Sequence, residues 1–318
     1  MMTAQTHPTL DAVTIGEAMA MFVASECGDL AGVTQFSKRI AGAELNVAIG
    51  LARLGLNVGW VSRIGDDSFG RFTCQQLDLE GVDRRQVTCD PRYPTGFQMK
   101  SRVDDGSDPL VEYFRKGSAA SHLSPADFDR DYFASARHLH LSGVAAAISD
   151  SSLALSQHAA REMKALGKTI SFDPNLRPVL WPSEAEMIKQ LNGLAQYADW
   201  VLPGIKEGQI LTGYQQPEAI ADFYLAMGVQ AVVIKTGSDG AWYKTAAGEK
   251  GQIAAVLTDN VVDTVGAGDG FAVGVISALL EGKSLPAAIL RGNKIGSLAI
   301  QVSGDSEGLP TRATLGDF

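Results

Sequence analysis

The chain has 318 residues, of which 45% are hydrophobic and 20% are charged, a composition typical of a globular protein with a sizeable buried core. The net charge of −9, without any run of basic residues, argues against a nucleic-acid or anionic-membrane partner, since both need a clustered positive surface. Three cysteines without regular spacing do not form a disulfide framework or a zinc site. We therefore expect a cytoplasmic protein.

Short β-type segments alternate with helical segments along most of the chain. In chain order, the pattern predicts a strand at 12–15, a helix at 44–54, a strand at 58–64, a helix at 68–79 capped by Ser68, and strands at 138–143, 169–174, 199–204 and 231–237. Strands that alternate with helices build βαβ crossovers. The sequence therefore predicts an α/β fold, a Rossmann-like, mainly parallel sheet flanked by helices.

Two segments interrupt this alternation. Residues 18–40 and 94–116 each contain extended stretches that are not separated by a helix within the segment, and Asp108-Pro109 marks a turn within the second segment. These segments predict a small antiparallel sheet beside the main sheet, which could act as a lid. Ordinary surface hairpins are an equally good interpretation of the pattern.

A glycine-rich turn near the C-terminus is the strongest candidate for a site of chemistry. A strand-like piece at 260–262 leads to Gly266-Ala267-Gly268-Asp269-Gly270, and an apolar helix is predicted over 271–280. Such a turn at a helix N-terminus offers converging N–H groups and the positive end of the helix dipole. It is therefore suited to hold the charge of a phosphoryl group in transfer.

Asp269 lies at the beginning of that helix, where the dipole favours its ionised form. We expect a carboxylate at neutral pH. It could accept a proton from an attacking sugar hydroxyl. A simple helix cap is the alternative, and the spacing alone leaves both interpretations open.

A second glycine turn, 235–240, closes the predicted strand AVVIK. It could hold nucleotide phosphates through its backbone N–H groups, or it could be an ordinary hairpin turn. The glycine spacing at 266–270 does not match a dinucleotide fingerprint, and a Walker A sequence is absent.

These two turns, in this order, resemble the ribokinase-like (PfkB) carbohydrate kinase family. The stretch DTVGAGDGF at 263–271 is similar to the family's C-terminal motif, and AGAELNVAIGLARLGLNVGWVSRIGDDSFG at 41–70 is similar to its N-terminal motif. The resemblance implies one ribokinase-like kinase domain over 1–318 with a β-lid, usually in homodimers joined through the lid or in higher homo-oligomers. It also implies transfer of the γ-phosphate of ATP to a sugar hydroxyl, with Mg²⁺.

The resemblance assigns roles to residues of this chain. Asp269 would be the general base, and Gly266, Ala267 and Gly268 would form the anion hole. The nucleotide would be bound by Asn175, Lys235, Thr236, Gly237, Ser238, Gly240, Gly266, Gly268 and Asn293. The sugar would be bound by Gly42, Ala43, Glu44, Asn46, Tyr113, Arg115, Arg177, Asp269 and Asp305.

Within the family, the loop GAELN at 42–46 and the stretch YFRKGSA at 113–119 are similar to those of members that phosphorylate 2-keto-3-deoxygluconate at its distal primary hydroxyl, O6. An arginine suits the carboxylate of such an acid because its planar fork can donate two hydrogen bonds. The alternative for Arg115 is an ion pair with Asp104 or Asp105. The alternative functions are phosphorylation of fructose or another ketose, and non-catalytic binding of a sugar acid.

One position departs from the family pattern. Many members carry an asparagine three residues before a glutamate, and this pair organises magnesium through water. Here Gly204 precedes Glu207. The resemblance therefore leaves Glu207, or Asp173, as the residue that would act on Mg²⁺ through water.

Overall fold

The computed structural model describes residues 9–103, 109–258 and 260–318. Residues 1–8 and residue 259 of the predicted domain lie outside the described residues, as do residues 104–108 of the second predicted lid segment. Within the described part, the strands are β1 (Leu10–Ile15), β2 (Met19–Cys27), β3 (Phe36–Ala41), β4 (Val58–Gly65), β5 (Val87–Asp90), β6 (Phe97–Arg102), β7 (Val111–Phe114), β8 (Ala136–Ser142), β9 (Thr169–Asp173), β10 (Trp200–Val201), β11 (Ala231–Lys235), β12 (Ala241–Thr245) and β13 (Lys250–Ile253).

The α-helices follow the strands closely along the chain. They are α1 (Ala43–Arg53), α2 (Ser68–Glu80), α3 (Arg130–Ala134), α4 (Gly143–Ala147), α5 (Asp150–Ala165), α6 (Glu184–Ala195), α7 (Ile205–Thr212), α8 (Pro217–Leu225), α9 (Ala267–Leu280), α10 (Leu285–Ala299) and α11 (Arg312–Leu315). The apolar faces of α1, α2, α9, α10 and α11 pack on one side of the main sheet, and those of α3 to α8 pack on the other.

The main sheet has nine strands in the order β13-β12-β11-β10-β9-β8-β1-β4-β5. The pairs from β11 to β5 are parallel, whereas β12 pairs antiparallel with both β11 and the edge strand β13. This confirms the predicted α/β fold with a mainly parallel sheet. The chain order reverses beside β1, and a crevice at the carboxyl ends of the strands is expected at such a switch point.

A separate four-stranded sheet has the order β3-β2-β6-β7 and contains the strands of both predicted lid segments. Its two outer pairs are antiparallel, as predicted, whereas the central pair, β2 with β6, is parallel. The reason is connectivity. The chain passes through α1, β4 and α2 between β2 and β6, and parallel neighbours require such a long crossover.

The strongly periodic segments were predicted well, but three local details were wrong. The cap of α2 is Asp67, whose Oδ1 accepts from the amides of Phe69 and Gly70, rather than Ser68. Residues 260–262 form no strand, because the amides of Val262 and Asp263 both donate to the carbonyl of Ile300. Helix α9 includes the glycine-rich turn that was predicted to precede it.

Helix α9 is apolar on every side because it is buried between α1 and α10. A Cβ added to Gly274 of α9 would lie 2.5 Å from the Cα of Gly292 on α10, so these two backbones are in close contact. A helix that is apolar all round is stable only when it is enclosed in this way. The enclosure holds the N-terminus of α9 firmly at the carboxyl ends of the main strands.

Candidate active site

The glycine-rich turn at 266–270 is the first turn of α9. Gly266 is its N-cap residue and has φ 85°, a left-handed conformation that favours glycine. A Cβ at Gly266 would also lie 2.4 Å from the backbone oxygen of Asp305. Only glycine fits this position, and the resulting turn presents the unpaired first amides of α9 to the adjacent cavities.

Two cavities meet at this helix N-terminus. The first, the central cavity, has a volume of about 300 Å³, and its wall includes Gly42, Ala43, Asn46, Lys100, Tyr113, Arg115, Asp173, Asn175, Arg177, Glu207, Lys235, Gly266, Gly268, Asp269 and Asp305. The second, the adjoining cavity, has a volume of about 510 Å³ and a largely apolar wall that includes Lys235, Gly237, Ser238, Gly240, Val256, Leu257, Gly268, Phe271, Gly292 and Asn293. The two cavities share Lys235 and Gly268.

Asp269 projects into the central cavity and does not cap its helix. Its Oδ2 accepts from Nδ2 of Asn46 at 2.8 Å, and its Oδ1 accepts from Nδ2 of Asn175 at 3.4 Å. Asn175 has φ 38°, the one positive φ outside glycine among the described residues. A left-handed non-glycine residue stores strain, and here that conformation accompanies its contact with Asp269.

The predicted full ionisation of Asp269 at neutral pH is wrong. Burial raises the pKa of its carboxyl to about 7, the nearby carboxylates of Asp173, Asp305 and Glu44 add to this rise, and the hydrogen bond from Asn46 opposes it. Burial and like charges thus outweigh the helix dipole. A carboxyl group with this pKa can both accept and release a proton near neutral pH.

Most of the predicted sugar-binding residues line the central cavity, and Glu44 does not. Ala43 and Asn46 lie three residues apart on α1 and face the cavity, whereas Glu44 lies on another side of the helix. Its Oε1 accepts from the hydroxyl of Ser142 and from the amide of Ala145. Glu44 is therefore buried beneath the cavity, where it joins α1 to the end of β8.

Arg115 forms an ion pair with Glu17, a residue that the sequence interpretation missed. The alternative partners Asp104 and Asp105 lie outside the described residues. Glu17 follows β1 and is almost fully buried, and its Oε1 accepts from the hydroxyl of Ser118. Its position directly after the first buried strand was the one available signal. The pair holds the guanidinium of Arg115 at the cavity wall.

Lys100 is a second residue that sequence reasoning missed. It lies on β6, is 1% exposed, and its Nζ is 2.5 Å from Oδ2 of Asp263 and 3.3 Å from Oδ1 of Asp305. The predicted sugar ligand Asp305 thus already has a cationic partner. These two ion pairs join β6 of the smaller sheet to the segments that contain Asp263 and Asp305, which lie beside the N-terminus of α9.

The predicted nucleotide residues divide between the two cavities. Gly237, Ser238, Gly240 and Asn293 line the adjoining cavity, and Nδ2 of Asn293 donates to the carbonyls of Ile253 and Ala254. Asn175 lines the central cavity instead.

Thr236 is absent from both walls, because its Oγ1 donates to the carbonyl of Gly240 and closes the turn. The turn at 235–240 connects the antiparallel strands β11 and β12, as the hairpin interpretation predicted.

The carboxylates around the central cavity do not form a complete metal site. No group of three or more ligating His, Cys, Asp or Glu side chains occurs in the parts of the chain that the structure describes. Glu207 accepts from the amide of Leu176 with Oε1 and from the amide of Gly204 with Oε2. Carboxylates in this arrangement fit a Mg²⁺ ion that keeps several waters and is bound mainly by phosphate oxygens.

The comparisons with known proteins agree with this architecture. The model of the pfkB family carbohydrate kinases matches residues 9–312. The 2-dehydro-3-deoxygluconokinase of Bacillus subtilis (strain 168) is 53% identical over 310 residues, which cover 97% of this chain and 95% of that protein. In the described residues, no helix is long and apolar enough to cross a membrane.

Solved structures give the same result. The crystal structure of a PfkB protein from Polaromonas sp. JS666 is 51% identical, with a TM-score of 0.89 over 96% of this chain and 99% of that one. A proposed ribokinase II from E. coli, in complex with ATP and Mg²⁺, is 27% identical with a TM-score of 0.89 over 96% of this chain and 97% of that one. The chain therefore belongs to the pfkB family of carbohydrate kinases.

Proposed function

We propose that the protein transfers the γ-phosphoryl group of ATP to O6 of 2-keto-3-deoxygluconate and forms 2-keto-3-deoxy-6-phosphogluconate. The observation that carries this proposal is the position of Asp269, a carboxyl group with a pKa near 7 beside the glycine turn where the two cavities meet. The name of the Bacillus subtilis relative, a 2-dehydro-3-deoxygluconokinase, supports the identity of the sugar acid.

ATP fits the adjoining cavity. The apolar wall from Val256, Leu257 and Phe271 suits the adenine base. The phosphates then point toward the first amides of α9, where Gly266, Ala267 and Gly268 provide the anion hole. Because Gly268 lines both cavities, the γ-phosphoryl group reaches the boundary with the central cavity.

Asp269 acts as the general base. Its carboxylate accepts the proton of the sugar hydroxyl as the new phosphorus–oxygen bond forms. Asn46 and Asn175 donate to its two oxygens and hold the group in place for this step. A pKa close to the working pH is favourable. A useful fraction of the carboxyl groups is then ionised, and the carboxylate is still basic enough to accept the proton of the hydroxyl.

Two arginines at the central cavity account for the preference for an acid. Arg115 is fixed by Glu17, and this carboxylate compensates its charge. Arg177 donates to the carbonyl of Leu176 and makes no ion pair within the described residues, so its charge is available to a ligand. We assign the sugar carboxylate to these two arginines, with Arg177 supplying the uncompensated charge.

Magnesium enters with the nucleotide in this proposal. When bound, the ion would bridge phosphate oxygens and neutralise part of their charge. Glu207 and Asp173 line the same cavity and would act on it through its water ligands. Gly204 has no side chain that could act on the ion. This agrees with a site in which the phosphates, rather than the protein, supply most of the Mg²⁺ ligands.

We also propose a homodimer joined through the four-stranded lid sheet, or a higher homo-oligomer, in the cytoplasm. The supporting feature is the outer strand β7 with its neighbour Leu110, where Leu110, Tyr113 and Phe114 are 58%, 50% and 47% exposed. Apolar surface of this kind is typical of an interface between proteins. The proposed unit is a single kinase domain over 1–318, with lid segments at about 18–40 and 94–116.

Replacing Arg177 tests the acid assignment. We expect Arg177→Ala to raise KM for 2-keto-3-deoxygluconate about tenfold, since a hydrogen bond to a charged group contributes about 1.5–3 kcal/mol and this side chain is exposed. The kcat for the acid and the KM for fructose should change little. The measurement is ADP release over a range of each sugar.

The matched control is Arg161→Ala, which removes an exposed arginine from α5, away from both cavities. It should leave KM for the acid unchanged. An equal rise in KM for the acid and for fructose in Arg177→Ala would rule out recognition of the carboxylate by this residue.

A further inference from the structure

Lys235 lies where the two cavities meet. Among the described residues it is the only positively charged residue that lines both of them. It is the last residue of β11, and its amide donates to the carbonyl of Pro203 at 2.8 Å. Its side chain is 19% exposed, so the ammonium is reachable from the cavities but largely enclosed by protein.

A carboxylate fixes the direction of the Lys235 side chain. Nζ of Lys235 is 2.7 Å from Oδ2 of Asp173, the last residue of β9, in the wall of the central cavity. A Cβ added to Gly268 would lie 3.5 Å from the same Nζ, so the ammonium also adjoins the first turn of α9. The cation is therefore held at the boundary between the cavities, beside the anion hole.

The ammonium keeps its charge despite its enclosure. Burial alone would lower the pKa of Lys235, but the carboxylates of Asp173, Glu207 and Asp269 outweigh burial and leave the pKa raised. A fixed positive charge in a partly dry site acts strongly on a neighbouring anion and needs no reorganisation during the reaction.

We propose that Lys235 is a catalytic residue whose ammonium contacts the γ-phosphoryl group during transfer, rather than a general ligand of the nucleotide phosphates. The inference rests on the proposed function and refines it. The bond between the γ-phosphorus and the oxygen it shares with the β-phosphate breaks, and its electron pair leaves on ADP. The sugar oxygen bonds to the phosphorus, and its proton passes to the carboxylate of Asp269.

In this arrangement Lys235 and the amides of the anion hole both contact the group in transfer. Asp173 keeps the ammonium at the boundary before ATP binds and compensates its charge. When ATP binds, the γ-phosphoryl oxygens share the ammonium of Lys235 with Asp173 and compensate part of its charge. ADP lacks this phosphoryl group and makes no contact with Lys235.

The test compares ligands with and without a γ-phosphoryl group in Lys235→Met. We expect kcat to fall about 100-fold to 1000-fold, the loss typical for removal of one donor to developing charge. The Kd for the β,γ-imido analogue of ATP should rise about tenfold or more, because the charge-assisted contact is lost. The Kd for ADP should stay within about twofold of the native value, since ADP does not reach this residue.

Two further variants make the comparison decisive. Lys244→Met removes a lysine from the neighbouring strand β12, whose ion pairs with Glu218 and Asp222 lie at the surface, and should leave kcat unchanged. Lys235→Met combined with Asp173→Asn removes both charges of the pair. It should fold even if the single variant does not, because Asp173, the carboxylate in direct contact with the ammonium, is then neutral as well.

The inference is overturned if ADP and the imido analogue lose affinity equally, or if kcat of a folded Lys235→Met or double variant stays near the native value. Failure of the proposed function looks different, because the native protein itself would then release no ADP in the presence of a sugar acid.

Discussion

Asp269→Asn should lower kcat by a factor of about 100 to 10,000, the range that a positioned general base contributes. The amide has the shape of the carboxyl group, and its oxygen can still accept the hydrogen bond from Asn46, so only the longer 3.4 Å contact with Asn175 is lost and the cavity should keep its form. Binding of ADP and of the sugar acid, measured by calorimetry, should change little. Turnover within tenfold of the native rate would contradict the assignment of Asp269 as the base.

The pH dependence provides an independent check on Asp269. Its pKa is raised to about 7, so the group is largely protonated below that pH and becomes available as a base above it. The kcat/KM of the native protein should therefore rise with pH through about 7 and then level off. Asp269→Asn should remove this rise, whereas Asp66→Asn, a change at an exposed carboxylate away from both cavities, should retain it.

Gly266→Ala should reduce turnover about 100-fold or more. An alanine in a left-handed conformation costs about 1–2 kcal/mol. In addition, the new Cβ would lie 2.4 Å from the backbone oxygen of Asp305, so the turn must shift. Displacement of a single anion-hole donor typically costs 100-fold to 1000-fold in kcat. The measurement is kcat together with the melting temperature.

Gly282→Ala is the matched control for this variant. Gly282 also has a positive φ, 79°, but it follows the other end of α9, and a Cβ there would meet nothing within 4 Å. We expect a similar backbone cost in stability with nearly native kcat. Equal losses of kcat in the two variants would show that α9 stability, rather than the geometry of the turn, limits the reaction.

The fold was predictable because its signals are local. Buried strands such as 12–15 and the amphipathic helix at 44–54 carry their periodicity in the sequence, and their alternation determines a parallel sheet. The predictions of local structure were wrong at positions where tertiary contacts determine the conformation. Residues 260–262 bond to the carbonyl of Ile300 instead of joining a sheet, and α9, whose body packs between α1 and α10, begins already within the glycine-rich turn.

The site was predictable in its residue types and less so in its pairings. The orientation of Glu44 could have been derived from helical spacing, since Ala43 and Asn46 occupy the face that looks into the cavity. The partners Glu17 of Arg115 and Lys100 of Asp305 could not, because each pair joins segments about 100 or more residues apart.

The protonation of Asp269 is a similar case. The helix dipole is visible in the sequence, but the burial and the carboxylates that raise its pKa come from distant segments such as those of Asp173 and Asp305. Local patterns thus indicate the candidate site, and tertiary contacts set its electrostatics.

Identification of the product tests the central claim most directly. The native protein is incubated with ATP, Mg²⁺ and 2-keto-3-deoxygluconate, and in parallel with fructose, and the products are followed by phosphorus and carbon NMR. We predict one phosphate ester, at O6 of the acid, formed in equal amount with ADP, and far slower reaction with fructose. Release of ADP without a phosphate ester, or equal phosphorylation of fructose, would contradict the account.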